Sequence, residues 1–241
     1  ELLQRKAIEI KPDFAEAHSN LGNILIDLGK LQEAELSLRK AIKLNPNFAN
    51  AHYSLGRSLL QRGEQVLSLK YFSESAELLR GTKNHEPNHK RFKTISKAKI
   101  DHDIEQFEYL ASQDYETQNF TDLIFLYKKV STEINWPSQT QLCSLSNKDQ
   151  SLLKVSYNRL IHLIEAPRLK EAAVSNSLNI EKITNDYFNH EFGLTYIDNF
   201  LSTTALKSLR KFLLGSTIWF DVKKGGYLGA YLKEGLANPL I

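Results

Sequence analysis

The sequence repeats itself with a period of 34 residues near its N-terminal end. The segment from Lys11 to His18 returns between Asn45 and His52, with proline, phenylalanine, two alanines and histidine at the same offsets. A single helical hairpin cannot bury its own apolar face, so a short constant period predicts hairpins that are copied and stacked. This feature restricts the first third of the chain to a helical array.

Small residues recur in this array where the two helices of a hairpin must approach closely. Gly22 and Gly56 hold one such position, and Ala34 holds another, for which the second copy has Ser68. Prolines end one helix and prepare the next, and glycines make the turn inside each hairpin. These residues are Pro12, Pro46, Gly29 and Gly63, and the space between the helices is filled by Leu25, Leu38 and Phe72.

The pattern resembles the tetratricopeptide repeat, which implies an α-solenoid over residues 1–80. Arg80-Gly81 stands where the next proline would fall, so we expect the array to stop there. Glu1 aligns with Glu35, in the second half of a repeat, and we therefore expect the sequence to be a fragment with more repeats upstream.

The resemblance also implies a ligand. In this family, five positions in the first helix of each repeat face a groove, and the groove holds a protein or peptide. Polar residues with a few apolar ones suit an extended peptide held through its backbone, and a solvated face without a ligand is the alternative. The corresponding residues are Glu16, Ser19, Asn23, Ile26 and Asp27, followed by Asn50, Tyr53, Arg57, Leu60 and Gln61.

The charge, cysteine content and apolar runs of the sequence limit the kinds of partner and the compartment that we expect. The formal net charge is only +3, with 31 basic and 28 acidic residues, so we expect no nucleic-acid partner. The basic stretch from Lys83 to Lys99 is interpreted as a solvated loop. The one cysteine, Cys143, suits a reducing compartment, and no apolar run reaches the ~18 residues that span a bilayer. We therefore expect a cytoplasmic protein without a membrane partner.

Residues 81–99 are polar and predict a linker, and residues 100–190 predict a helical region. Apolar residues at helical spacing mark three helices in this region. The second stripe is broken at Asn135-Trp136-Pro137, and the third ends before Pro167. The stripes are Ile100, Ile104, Phe107 and Leu110; Leu123, Leu126, Tyr127, Val130 and Ile134; and Leu152, Leu160, Ile161 and Ile164 with Val155 or Tyr157.

Residues 191–241 predict the beginning of an α+β domain. Strand-favouring residues occupy Phe192–Ile197, Ile218–Val222 and Tyr227–Leu232, with a hairpin turn around Gly226. Between the first two lies a helix with Leu206, Leu209, Phe212 and Leu213 on its buried face. Ser202 or Thr203 can cap this helix, and Gly215 ends it.

The segment from Gly193 to Ser202, followed by a helix, resembles the entry to prolyl-hydroxylase-like oxygenases. Those enzymes use Fe(II) and 2-oxoglutarate in a double-stranded β-helix. No histidine here is followed two positions later by aspartate or glutamate, so half of an iron-binding triad is missing. The resemblance implies that such ligands lie beyond Ile241. We therefore assign no catalytic residue, metal ligand or cofactor to these residues.

His85-Glu86-Pro87-Asn88-His89 matches the zinc-protease pattern H-E-x-x-H. That chemistry needs both imidazoles on one face of a helix. Pro87 drives Glu86 away from helical geometry, so a chance match in a loop is the better interpretation.

Three functions remain open. The first is a protein-interaction scaffold joined to an oxygenase domain, and the second is an adaptor without enzymatic activity. The third is a glycosyltransferase resembling the O-linked N-acetylglucosamine type, whose repeats carry a ladder of asparagines. Asn20 and Asn23 begin such a ladder, but Ser54 and Arg57 do not continue it.

Overall fold

The computed structural model describes residues 1–81, 89–113, 119–223 and 226–240, and these are mostly helical. By their contacts they fall into two units. One contains Glu1–Leu163 and Gly215–Ala237, and the other contains Ile164–Leu214 and the chain from Asn238 onward. The repeats lie in the first unit, together with a segment that follows them by more than a hundred residues.

The repeat region forms helical hairpins, as the period predicts. Helices α2 and α3 pack as one hairpin and α4 and α5 as the next, and α3 contacts α4 between them. Gly29 and Gly63 make the turns with φ of 72° and 81°, a conformation that favours glycine. The helices are α1 (Leu2–Ile10), α2 (Ala15–Asp27), α3 (Leu31–Leu44), α4 (Ala49–Gln61) and α5 (Gln65–Arg80).

The small residues allow the close approach that the sequence predicts. A Cβ added to Gly22 would lie 2.5 Å from Leu38 Cγ, and one added to Gly56 would lie 2.8 Å from the Phe72 ring. Ser68 replaces the expected alanine without leaving a polar group unpaired, because its hydroxyl donates to the Gly56 carbonyl at 2.8 Å. The second hairpin therefore keeps its tight packing despite the substitution.

Three further helices build a second apolar core in the same unit. They are α6 (Lys97–Ala111), α7 (Phe120–Glu133) and α8 (Asn147–Leu153). The first two follow the predicted stripes, and their core side chains include Ile100, Phe107, Leu110, Tyr127 and Val130.

The prediction of a third long helix is wrong, because α8 ends at Leu153. Residues 154–158 form turns, and from Leu160 onward backbone groups bond to distant segments. The Leu160 amide donates to the Arg80 carbonyl at 2.7 Å, and the Ile161 amide donates to the Thr217 hydroxyl at 3.0 Å. An apolar stripe alone cannot distinguish this path from a helix.

The interpretation of the basic stretch as a solvated loop is also wrong where the structure describes it. Lys90–Phe92 forms a 3-10 helix, Thr94–Ile95 forms strand β1, and Lys97 begins α6. Ile95 is fully buried, and Lys99 is only 4% exposed. Strand β1 pairs antiparallel with β2 (Cys143–Ser144), so this segment belongs to the second core.

The C-terminal strands are shorter than predicted. Strands β3 (Asp221–Val222) and β4 (Leu228–Gly229) pair antiparallel, which confirms the hairpin. The strand predicted at Tyr227–Leu232 ends at Gly229 as β4. A 3-10 helix follows at Leu232–Glu234, before Gly235 at φ 110°. The described residues contain two two-stranded sheets, and a double-stranded β-helix is not confirmed.

The second unit contains α9 (Ile180–Asn189) and most of α10 (Thr203–Gly215). The Ser202 hydroxyl accepts from the Ala205 amide at 3.3 Å, which confirms the predicted cap. The predicted strand Phe192–Ile197 is absent, and Tyr196 is 88% exposed. A strand needs a neighbour to bond its backbone, and composition alone does not supply one.

Candidate functional site

The first helices of the two hairpins lie side by side. The Arg57 guanidinium on α4 lies 3.8 Å from the Asp27 carboxylate on α2. In the other layer, Arg39 on α3 donates to the Tyr71 hydroxyl on α5 at 2.9 Å. Helices α2 and α4 therefore share one surface, here named the α2/α4 face. It comprises the exposed and half-buried residues Glu16, Asn23, Asp27, Asn50, Tyr53, Arg57, Leu60 and Gln61.

Two of the predicted ligand contacts are not on this face. Ser19 is 2% exposed and Ile26 is 3% exposed, so neither side chain is open to a ligand. Ile26 belongs to the apolar cluster that joins the two hairpins, together with Leu25 and Leu55. For Ile26 the physical cause is α4, which packs beside α2. Leu60, the equivalent of Ile26 in the second copy, stays 45% exposed.

The ring of Tyr53 packs against a buried aromatic residue of α5. Its ring lies 5.6 Å from the ring of Phe72, in a tilted arrangement, and Phe72 is only 2% exposed. A half-buried aromatic ring that is fixed by packing loses little conformational freedom when a ligand contacts it. Packing therefore fixes the position of the Tyr53 ring among polar neighbours.

The electrostatics of the face are mild. Asp27 is 72% exposed and Arg57 is 37% exposed at the side chain, so their ion pair contributes less than ~1 kcal/mol. A carboxylate or carbonyl of a ligand can replace Asp27 as the partner of Arg57 at small cost. Glu16 adds a second exposed carboxylate to the same face.

Two histidines fix the start of the helices that form the face. Nε2 of His18 lies 3.0 Å from the Pro12 carbonyl oxygen, and Nε2 of His52 lies 2.9 Å from that of Pro46. Because a carbonyl only accepts, each Nε2 is the donor of its hydrogen bond. The other ring nitrogen of His52 lies 2.8 Å from the Glu74 carboxylate, which links α4 to α5. Both histidines are thus occupied by structural contacts.

The end of the array carries a feature that sequence reasoning missed. The 3-10 helix Leu232–Glu234 packs against α5. The Arg80 guanidinium donates to the Glu234 carboxylate at 2.8 and 3.0 Å, and the side chains of both residues are only 8% exposed. The signal in the sequence was Arg80 itself, a long charged residue where the repeat expects proline. Nothing local in the sequence identified Glu234 as its partner.

The described residues contain no group of three or more His, Cys, Asp or Glu side chains placed to hold a metal ion. They therefore do not fit an iron site, and we assign no step of an iron-dependent reaction to them. The zinc-protease pattern lies outside the described residues except for His89, whose Nδ1 accepts from the Arg91 amide at 3.2 Å. Across the described ranges, no helix has the length and apolarity needed to cross a bilayer.

Comparison with known families agrees with the repeat geometry. Residues 22–63 match a family model described as TPR repeat, and residues 3–35 match one described as tetratricopeptide repeat. No curated protein matches the sequence. Tetratricopeptide repeats typically bind protein partners, which agrees with an open face made of first helices. The comparisons thus place tetratricopeptide repeats in residues 3–63, the segment that forms helices α1 to α4.

Proposed function

We propose that the α2/α4 face binds an extended segment of a partner protein. The supporting observation is the position of Tyr53 and Leu60, which are open on one face and surrounded by amide and charged side chains. This mixture matches the way an extended peptide presents itself, with a polar backbone and alternating side chains.

The amide, apolar and charged side chains of the face have different roles in binding the peptide. Asn23, Asn50 and Gln61 each offer an amide that can donate to and accept from a peptide backbone. Tyr53 and Leu60 bury apolar side chains of the ligand, and Arg57 pairs with a ligand carboxylate or carbonyl. Hydrogen bonds to the peptide backbone allow peptides of many sequences to bind. The contacts with Tyr53 and Leu60 favour those peptides that carry apolar side chains at matching positions.

The test uses a phage-displayed library of random peptides, about a dozen residues long, selected on the full chain. Selected peptides are then synthesised, and their binding is measured by fluorescence anisotropy. We expect Leu60→Ser and Tyr53→Ala to weaken binding about tenfold or more, since each removes a buried apolar contact worth ~1–2 kcal/mol.

The matched control is Leu36→Ser, because Leu36 lies on α3 and is 71% exposed. We expect no change in peptide binding for this variant. If Leu36→Ser weakened binding as much as Leu60→Ser, or if neither variant changed it, the α2/α4 face would not be the binding surface.

An adaptor without enzymatic activity requires only a surface that binds a partner protein, and the α2/α4 face is such a surface. The oxygenase-like interpretation of residues 191–241 has no support from the comparisons or the described strands and stays a prediction of the sequence. The glycosyltransferase alternative likewise has no support. We therefore favour an adaptor that holds a partner protein on its repeats.

A further inference from the structure

A pocket of about 300 Å³ lies in the unit that contains the repeats, beside the end of α5. Its lining carries four cationic side chains and one carboxylate, which is ion-paired with one of the four. The cations are Arg80, Arg91, Lys99 and Lys223, and the carboxylate is Asp221. The pocket is separate from the α2/α4 face, and the proposed peptide binding does not use it.

The floor of the pocket is built from buried polar groups. Arg80 is 7% exposed, Lys99 is 4% exposed and Asn158 is 6% exposed. Each is held in place by the protein: Arg80 by Glu234, Lys99 by an ion pair with Asp103, and Asn158 by donating to the Arg91 carbonyl at 2.6 Å. Groups fixed in this way need little reorganisation to receive a ligand.

A third buried cation, Arg159, lies close enough to Arg80 for the two charges to interact. Arg159, which is 4% exposed and follows Asn158, makes no ion pair among the described residues, and its guanidinium lies 3.9 Å from the centre of the Phe92 ring. Burial lowers the pKa of Arg159, and the charge of Arg80 lowers it further.

One donor at the pocket is also unused. Nη1 of Arg80 is buried and has no hydrogen-bond partner in the described parts of the chain. A buried donor without a partner costs about 1–3 kcal/mol. Burial lowers the pKa of Lys99, and the nearby Arg80 acts in the same direction. An anion in the pocket would supply the acceptor and reduce the repulsion among the neighbouring cations.

We propose that this pocket binds a phosphate group, either as inorganic phosphate or on a small phosphate ester. A phosphate carries close to two negative charges and accepts several hydrogen bonds, which suits two guanidinium groups and two ammonium groups. A carboxylate has two oxygens and would accept fewer hydrogen bonds from these groups than a phosphate. The volume is at the small end of ligand sites, so the group fits with at most a short organic tail.

The test measures inorganic phosphate binding to the full chain by calorimetry, with chloride added to keep the ionic strength constant. We expect saturable binding of one phosphate per chain. Lys223→Ala and Arg91→Gln each remove one cation from the wall, and we expect each to weaken binding at least fivefold. Lys40→Ala, at an exposed lysine on α3, is the matched control and should leave the affinity unchanged.

Circular dichroism confirms that each variant is folded before its affinity is compared. Glycerol 3-phosphate, titrated in parallel, distinguishes the two sources: tighter binding than inorganic phosphate indicates an ester, and weaker binding indicates the free ion. Absence of saturable binding by either phosphate, equal affinity in the wall variants, or tighter binding of acetate than of phosphate would each overturn the proposal.

Discussion

Gly22 sets the distance between α2 and α3, because its missing side chain leaves room for Leu38. In Gly22→Ala the new methyl group would lie 2.5 Å from Leu38 Cγ, and Leu38 is fully buried. Alanine gains about 1 kcal/mol of helix propensity over glycine. Overpacking costs about 1–3 kcal/mol. We expect a net loss of up to about 2 kcal/mol in the free energy of unfolding, measured by urea denaturation.

A double-mutant cycle with Leu38→Ala provides the control for that loss. Once Leu38 is shortened, the methyl group that Gly22→Ala introduces has space, and we expect the loss from Gly22→Ala to disappear. A coupling energy below about 0.5 kcal/mol would contradict the steric explanation.

Two buried tyrosines predict how stability depends on pH. Burial raises the pKa of the hydroxyls of Tyr127 and Tyr157, and the charge of Asp103 acts in the same direction. The unfolded chain releases these protons near pH 10, while the folded chain retains them. Their contribution to stability is therefore complete below about pH 10 and is lost as the pH rises further, by up to ~1.4 kcal/mol per pH unit for each tyrosine.

We expect Tyr127→Phe to have a shallower fall in unfolding free energy than the wild type between about pH 10 and 11. Lys99, whose pKa is lowered by burial, changes stability in the opposite direction, so the comparison is made between variant and wild type. Tyr227→Phe is the control, because Tyr227 is 64% exposed. Equal slopes for Tyr127→Phe and the wild type would contradict the assignment.

At the scale of elements, the sequence predicts those helices and caps that depend on residues close together in the chain. The hairpins of the repeats, α6, α7 and the cap of α10 follow from apolar periodicity and from residues next to them in the chain. The path after Leu153 and the segment Phe192–Ile197 depend on distant partners or on their absence, and both predictions are wrong. The same holds for the α2/α4 face, where its helices were predictable but the burial of Ser19 and Ile26 was not.

The contact between α5 and the 3-10 helix Leu232–Glu234 depends on one buried ion pair. We expect Glu234→Leu to lower the free energy of unfolding by about 3 kcal/mol or more, because it leaves the charge of Arg80 buried without compensation. The double variant Arg80→Met with Glu234→Leu removes both charges and should recover most of that loss. Urea denaturation measures both, and a double variant as unstable as the single one would contradict the explanation.

At the scale of the whole molecule, the repeat array is completed by residues far from it in sequence. The unit that contains the repeats also contains Gly215–Ala237. We expect a chain truncated after Leu214 to exchange its α5 amide hydrogens at least tenfold faster, since α5 loses its covering segment. The amides of α2 in the same sample provide the internal control, and equal acceleration in α2 and α5 would show general unfolding instead.

The pairing of Arg80 with Glu234 joins residues 154 positions apart. A ribosome finishes the repeats long before it synthesises the carboxylate that neutralises their last buried arginine. During that interval α5 lacks its covering segment and Arg80 remains hydrated. The hairpin of α4 and α5 is then not yet stabilised by the ion pair with Glu234. Closing so long a loop is entropically slow. In a nascent chain, the end of α5 therefore stays without its cover until Glu234 has left the ribosome.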